Sequence, residues 1–409
     1  GKAPNAPYHR LPEPGMHLSR EACELFIVAN FVEVYLAKEG HGNAIGINFL
    51  EKIQRPHLPS AYGAMLAGVD YVLMGAGIPL KIPGALDAIS RYEVATYPLA
   101  VKGADANDQF LMSFNPLDYV EGEPPVLKRP DFLAIISSNT LATTMLKRAN
   151  GKVNGFIVEG HVAGGHNAPP RGKLELDENG EPIYGERDVV DLPKLRELNV
   201  PFWLAGGYGN AEGVCRALEA GATGVQVGTP FAFCEESGFE EKYRLRVLEK
   251  ARAREAKIFT DPHASPTGFP FKVIPVEGTL SEAAVYDARP RICDLHYLQE
   301  AYKKGDGEVG FRCASEPLTT FIAKGGDPAE SPGRKCLCNA LMANVGLAQH
   351  RNGNRVEAGL LTAGNDVSEL AQFLPEEGLR YTAADVLGIL LGRTAELEPA
   401  LAGATGSGD

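Results

Sequence analysis

Hydrophobic positions along the chain change their period several times, and the changes mark its elements. Over residues 21–39, Leu25, Phe26, Val28, Ala29, Val32 and Tyr35 recur at helical spacing and predict a helix. From residue 44 a rhythm begins. Short apolar runs at 44–49, 70–75, 131–136, 155–159, 201–205 and 224–227 read as strands, and 58–67, 140–148, 192–198 and 211–220 as helices between them. Two stretches interrupt it. Alternating segments at 95–102 and 109–115 flank a polar turn and predict a β-hairpin inserted at about 90–130. A charged, Gly- and Pro-containing excursion follows at 169–188. Beyond the rhythm, 240–255 reads as a charged helix, 341–347 as a helix, 360–363 as a short strand and 383–391 as a helix.

Strands that are apolar throughout and alternate with helices imply parallel pairing under helical cover, hence an α/β fold. Six strand–helix units are legible, whereas a TIM (β/α)8 barrel has eight. The chain begins at Gly1 without an initiator Met, so the missing first strands are expected before Gly1. A doubly wound open sheet is the alternative. The expected division is a lead-in with its helix at 1–43, a barrel at 44–275, a mainly helical Cys-containing region at 276–402, and a disordered tail at 403–409.

Composition narrows the function. The net charge is −12 and the pI about 5.4, with basic residues interspersed among acids, which argues against a nucleic-acid partner. No run of about 18 apolar residues is present, so no membrane span is expected. The odd count of seven cysteines and a start without a signal peptide point to a reducing, cytoplasmic setting. The expected partners are a small-molecule substrate and a second copy of the chain, docked through the carboxyl-terminal region.

Chemistry concentrates where apolar strands run into small residues: Val158 to His166, Pro201 to Gly207 and Gly224 to Thr229, with Gly75 ending an earlier strand. The carboxyl edge of a parallel barrel is where such a fold places its ligand. Glycines there let backbone N–H groups approach a phosphate. Gly206, Gly207, Gly228 and Thr229 fall on two consecutive units, as a barrel's phosphate site requires, although either pair alone would read as a tight turn. Gly207 to Gly213 misses the dinucleotide fingerprint by one residue. His166, on a Gly-flanked loop at the strand ends, can exchange a proton with a substrate near neutrality. His161 reads as a lining residue or a bystander, and Ser137 and Ser138 as lining residues or helix caps.

Ala163-Gly164-Gly165-His166, Ala205-Gly206-Gly207 and Gly224-Val-Gln-Val-Gly-Thr-Pro-Phe231, in that order, resemble the nitronate monooxygenase (2-nitropropane dioxygenase) family, whose signature FMN-dependent enoyl reductases share. The likeness spans roughly 44–275, with Ile45 to Phe49 matching a barrel strand and Ser265 to Pro270 a loop after the barrel. It implies FMN as cofactor. Asn48 would hydrogen-bond the flavin; Gly206, Gly207, Gly228 and Thr229 would hold its phosphate; His166 would face the substrate. Gly75, Gly164 and Gly165, and Glu159 where the family often carries Gln or Glu, join the cofactor set. Val162 departs from the family, which often has an acid there. The implied reaction is oxidation of an alkyl nitronate or similar carbanion-forming molecule by O2. The alternatives are NAD(P)H-dependent reduction of an enoyl thioester, and a non-catalytic phospholigand-binding barrel.

Cys293, Cys313, Cys336 and Cys338 crowd into one stretch, whereas Cys23, Cys215 and Cys234 are scattered. Four thiolates are a ligand set for zinc or an iron–sulfur cluster. Their long intervals match no C-x-x-C pair, and buried structural cysteines are the plainer reading.

Overall fold

The computed structural model describes residues 2–3, 5–10, 15–352 and 355–392 of the 409. The tail at 403–409, expected to be disordered, lies outside them. Six strands form one parallel sheet: β1 (Gly46–Leu50), β2 (Tyr71–Gly75), β3 (Asp131–Ile136), β4 (Gly155–Glu159), β5 (Phe202–Ala205) and β6 (Gly224–Gln226). They pair in sequential order. Between them run α1 (Arg20–Ala37), ahead of the sheet, then α2 (His57–Leu66), α3 (Ile82–Ser90), α4 (Asn139–Arg148), α5 (Leu192–Arg196) and α6 (Ala211–Glu219).

Side chains alternate between the two faces of this sheet. Val72, Met74, Phe132, Ala134, Ile136, Phe156, Val158, Phe202 and Leu204 pack with the helices in the main core. Leu73, Leu133, Ile135, Ile157, Trp203 and Ala205 form a separate cluster on the opposite face. Right-handed crossovers taken always in one direction put the connecting helices on one side, so the second face points away from them, and its cluster is buried only in part. A doubly wound sheet would reverse its strand order at a switch point, and this one does not. The register aligns Leu50 with Gly75 and Glu159 with Ala205 and Gln226, which brings the strand ends to one edge.

The hairpin expected at 90–130 is present: Ala95–Pro98 pairs antiparallel with Leu111–Phe114. The α1 stripe differs from expectation. Leu25, Val28, Val32 and Tyr35 are exposed, while Cys23, Ile27 and Val34 are the buried positions. The helix is apolar on both sides, and α2 covers only one of them. The two approach so closely that a Cβ on Gly63 would stand 2.1 Å from the Ile27 carbonyl oxygen.

The carboxyl-terminal region is less helical than its pattern implies. Glu300–Lys303 and Val309–Arg312 pair antiparallel, and the first also pairs with Val101–Lys102 of the inserted hairpin. Residues 360–363 form no strand; they run extended and buried, with the Ile274 N–H donating to the Leu361 carbonyl at 2.9 Å. The helix expected at 341–347 lies earlier, at Leu337–Asn344. Phe271, Leu337 and Leu360 pack in a core that reaches Leu50 at the end of β1.

Candidate functional site

The loop after β4 is held on both flanks by chain far away in sequence. On one side the Asn167 N–H donates to the Pro270 carbonyl and the Lys272 N–H to the Gly165 carbonyl, both at 2.9 Å. On the other, the Asn365 N–H donates to the Val162 carbonyl and the Gly165 N–H to Thr362 Oγ1, again at 2.9 Å. A Cβ on Gly164 would sit 2.7 Å from the Ala363 carbonyl carbon. Gly164 and Gly165 therefore admit a crossing segment of protein. Gly75 likewise has a packing reason, since a Cβ there would meet Ile135 at 2.9 Å.

So fixed, the loop presents His166 to a cavity of about 190 Å³ at the sheet edge, lined also by Gly77, Ser137, Glu159, Asn167 and Phe269. His166 Nε2 lies 2.7 Å from Ser265 Oγ, and its ring meets Phe271 edge-on at 4.9 Å. Burial pulls the imidazole down to about 4, so it is neutral at neutral pH. Burial pushes the Glu159 carboxyl in the opposite direction, up to about 7. The pair thus holds one neutral imidazole and one acid that titrates near neutrality. Asn167 gives its amide N–H to the Ala163 carbonyl at 3.0 Å, and its buried Oδ1 has no partner among the described residues. A buried acceptor without a protein donor is a position for a ligand or water donor.

The expected phosphate site divides. Gly206 and Gly207 both take the left-handed backbone conformation, at φ +83 and +77. A Cβ on Gly206 would strike the Ala163 nitrogen at 2.8 Å, so this glycine lets two loops touch. Above Gly207 the nearest atom to such a Cβ is at 3.8 Å, and above Gly228 nothing lies within 4 Å. These two leave open space for an anion. The Thr229 hydroxyl is already engaged, accepting from the Gly364 N–H at 2.9 Å. Asp366 stands beside it, its Oδ1 buried without a partner among the described residues and its carboxyl pushed up by burial. Asn48, on edge strand β1, is exposed and does not line the His166 cavity.

Other residues resolve differently. The Ser138 hydroxyl caps α4, accepting from the Leu141 N–H at 3.0 Å, while Ser137 lines the cavity. His161 stacks on Tyr184 at 4.5 Å. Asn167, Lys272 and Asp366 were not singled out in the sequence, and Ser265 was named only as the start of the loop after the barrel. Of the first three only Asn167 carried a signal, directly after the glycine–histidine motif. Lys272 is buried, with Nζ bonded to Thr260 Oγ1 at 2.8 Å and Asn365 Oδ1 at 2.9 Å, and burial pulls it down to about 8. The four clustered cysteines, Cys293, Cys313, Cys336 and Cys338, line one small cavity with His296 and Pro266.

A parallel β/α sheet with a buried acid, a histidine and open glycines at its carboxyl edge is the frame of a barrel-type ligand site. Within it, residues 124–261 match the family model for nitronate monooxygenase, and all three quoted motifs fall inside that stretch. The match is shorter than the 44–275 read from the sequence. A nitronate monooxygenase of Pseudomonas aeruginosa is 32% identical over 154 residues, 36% of this chain and 42% of that protein. A probable nitronate monooxygenase of Bacillus subtilis is 32% identical over 135 residues, 33% and 36% of the two chains. The chain thus spans less than half the length of these relatives. In structure it is similar to FabK from Thermotoga maritima, with TM-score 0.50 and 16% identity over 91% of this chain and 83% of that one. The enoyl reductase domain of MlnA from Bacillus amyloliquefaciens gives TM-score 0.50 at 10% identity over 95% of each chain. These two likenesses concern the fold alone.

Proposed function

We propose that this chain is an FMN-dependent oxidoreductase of the nitronate monooxygenase type, acting on an alkyl nitronate or related carbanion-forming small molecule with O2. The observation that carries the reading is the cavity at the sheet edge, lined by Glu159, His166 and Asn167, together with the open glycines of the next two loops. In it the six strands are an arc of a (β/α)8 barrel. The residues fit the cofactor: main-chain N–H groups at Gly207, Gly228 and Thr229 would hold the phosphate, and Asn167 Oδ1 would accept from the ring. When bound, FMN supplies the two-electron chemistry. A cytoplasmic location and a homodimer belong to the same proposal, the first supported by seven unpaired cysteines.

The chain's own part is proton handling and placement. Neutral His166, steadied by Ser265, hydrogen-bonds the substrate oxygens as negative charge develops on them. Glu159, titrating near neutrality, takes or returns the proton at the reacting carbon. The test is release and identification of the bound chromophore, then O2 uptake with a primary nitronate. A protein that neither carries nor accepts FMN would sink the reading.

One observation favours a second reaction on the same scaffold. A cavity of about 720 Å³ borders the loop holding Ser265 at Pro266 and Thr267, lined also by Leu25, Phe26, Ile53, Leu99, Leu298 and the cation of Arg55 among others. Its size and mixed lining suit an acyl chain, as an NAD(P)H-dependent enoyl-thioester reductase needs. Rapid bleaching of the bound flavin by NADPH, with no response to nitronate, would select it.

A further inference from the structure

Residues 293, 313, 336 and 338 come from three separate pieces of the carboxyl-terminal region: the turn before Leu298, the end of a strand, and the start of the Leu337–Asn344 helix, which supplies two. Nothing in their spacing requires them to meet. The fold nevertheless brings all four residues to the wall of one cavity, of about 10 Å³.

Each sulfur is also supplied with a hydrogen-bond donor. The main-chain N–H of His296 points at Cys293, and its ring nitrogen lies 3.6 Å from the same sulfur. The main-chain N–H of Ser315 serves Cys313, whose sulfur is 3.2 Å from the Ser315 hydroxyl. The Asn339 amide donates to Cys336 at 3.5 Å, and the Leu298 N–H serves Cys338. The Arg289 guanidinium adds its charge near Cys336. A neutral thiol is a weak acceptor and needs no such provision. N–H groups aimed at every sulfur of a group suit thiolates that share a metal, where such bonds tune the centre.

We propose that Cys293, Cys313, Cys336 and Cys338 hold a thiophilic metal centre, zinc or iron with sulfide, that fastens the carboxyl-terminal region to the catalytic loop. Pro266 forms part of the cavity wall, and its neighbour Ser265 is the hydrogen-bond partner of His166. Arg334, just before the paired cysteines, donates to the Ser265 carbonyl at 2.6 Å. The centre thus sits one residue behind the group that positions the histidine. Among the described residues, no three His, Cys, Asp or Glu side chains form a group ready to hold an ion as they stand. Loading therefore requires the thiol protons to leave and the sulfurs to close on the centre.

The test is metal and acid-labile sulfide analysis of the full chain purified without oxygen, beside Cys336→Ser, Cys338→Ser and the remote control Cys215→Ser. The expected result is zinc at one per chain, or iron with matching sulfide and a brown absorbance. Each variant should lose about tenfold or more in metal retention, the control none. X-ray absorption on the unmutated protein reads the ligands without relying on variants that fold poorly. A shell of four sulfurs supports the centre, and a shell of oxygen and nitrogen overturns it. Unmutated protein that holds no metal, and takes up none from zinc or from ferrous iron with sulfide under reducing conditions, also overturns it. Metal is assayed separately from flavin, so a negative result leaves the proposed oxidoreductase function intact.

Discussion

The loop after β4 and the loops after β5 and β6 carry the same kind of glycine signature at the same sheet edge, yet they use it differently. At Gly164 the missing side chain is filled by protein, with Ala363 pressed against the backbone. At Gly228 the missing side chain leaves open space. A glycine at a strand end thus answers either to a neighbouring segment or to a ligand, and only the surroundings say which. Removal of the glycine separates the two: one change costs stability, the other cofactor.

The largest effect is expected at Gly228. Its backbone is not left-handed, so Gly228→Val strains nothing and simply fills the open space. Flavin retention should fall by about 100-fold or more, since one lost set of phosphate contacts is worth roughly 3 kcal/mol. Thermal melting of the flavin-free chain should not move. An equal loss of melting temperature would mean the space is structural. His166→Ala should follow, with turnover reduced about 100-fold through loss of one donor to developing charge, and flavin content unchanged. Full turnover with normal loading would remove His166 from the chemistry.

Gly164→Ala should do the reverse of Gly228→Val. It forces Ala363 away and should cost about 1–3 kcal/mol in denaturant unfolding, the usual cost of overpacking. Flavin-binding affinity measured below the transition should hold. Glu159→Gln sharpens the assignment of proton transfer. In the folded chain this carboxyl binds its proton up to about 7, whereas unfolded it releases it near 4.3. The native state holds more protons in that window, so the Glu159 contribution to stability falls as pH rises from about 4.3 to 7. The stability difference between Glu159→Gln and the unmutated protein should therefore grow across that window, and the variant's turnover should lose its pH dependence near 7. His166, pulled down to about 4, acts with the opposite sign, favouring the unfolded state as pH falls from about 6.5. The smallest effect belongs to Ser265→Ala, a few-fold in turnover, about the value of one neutral hydrogen bond. An upward move in the His166 titration read by NMR would show that Ser265 steadies the neutral ring.

Much of the sheet was legible because most of its strands are apolar on both faces and four of the six run into glycine, at Gly75, Gly160, Gly206 and Gly228. Helix α3 escaped notice, as its nine residues begin with Ile82 and Pro83 and carry Gly84, a poor helix former. The strands at 300–303 and 309–312 are too short and too charged to alternate visibly, and they pair because the hairpin insertion supplies an edge at Val101. Residues 360–363 looked like a strand because they are mostly apolar, but they run as a lone segment between the β4 loop and the carboxyl-terminal core.

His166, the paired glycines and the four cysteines are local facts of the chain, and the sequence determined that these chemistries are present. It determined the parallel α/β frame as well, since periodicity is a local property of burial. Which glycines stay open, which oxygen is left without a partner and which four sulfurs share a cavity were decided by the tertiary structure. Each depends on segments far apart in the chain: 197 residues separate Thr362 from Gly165 and 99 separate Ser265 from His166, while the four cysteines span 45. No local pattern encodes such a distance, because the contact is selected only when the whole core has packed.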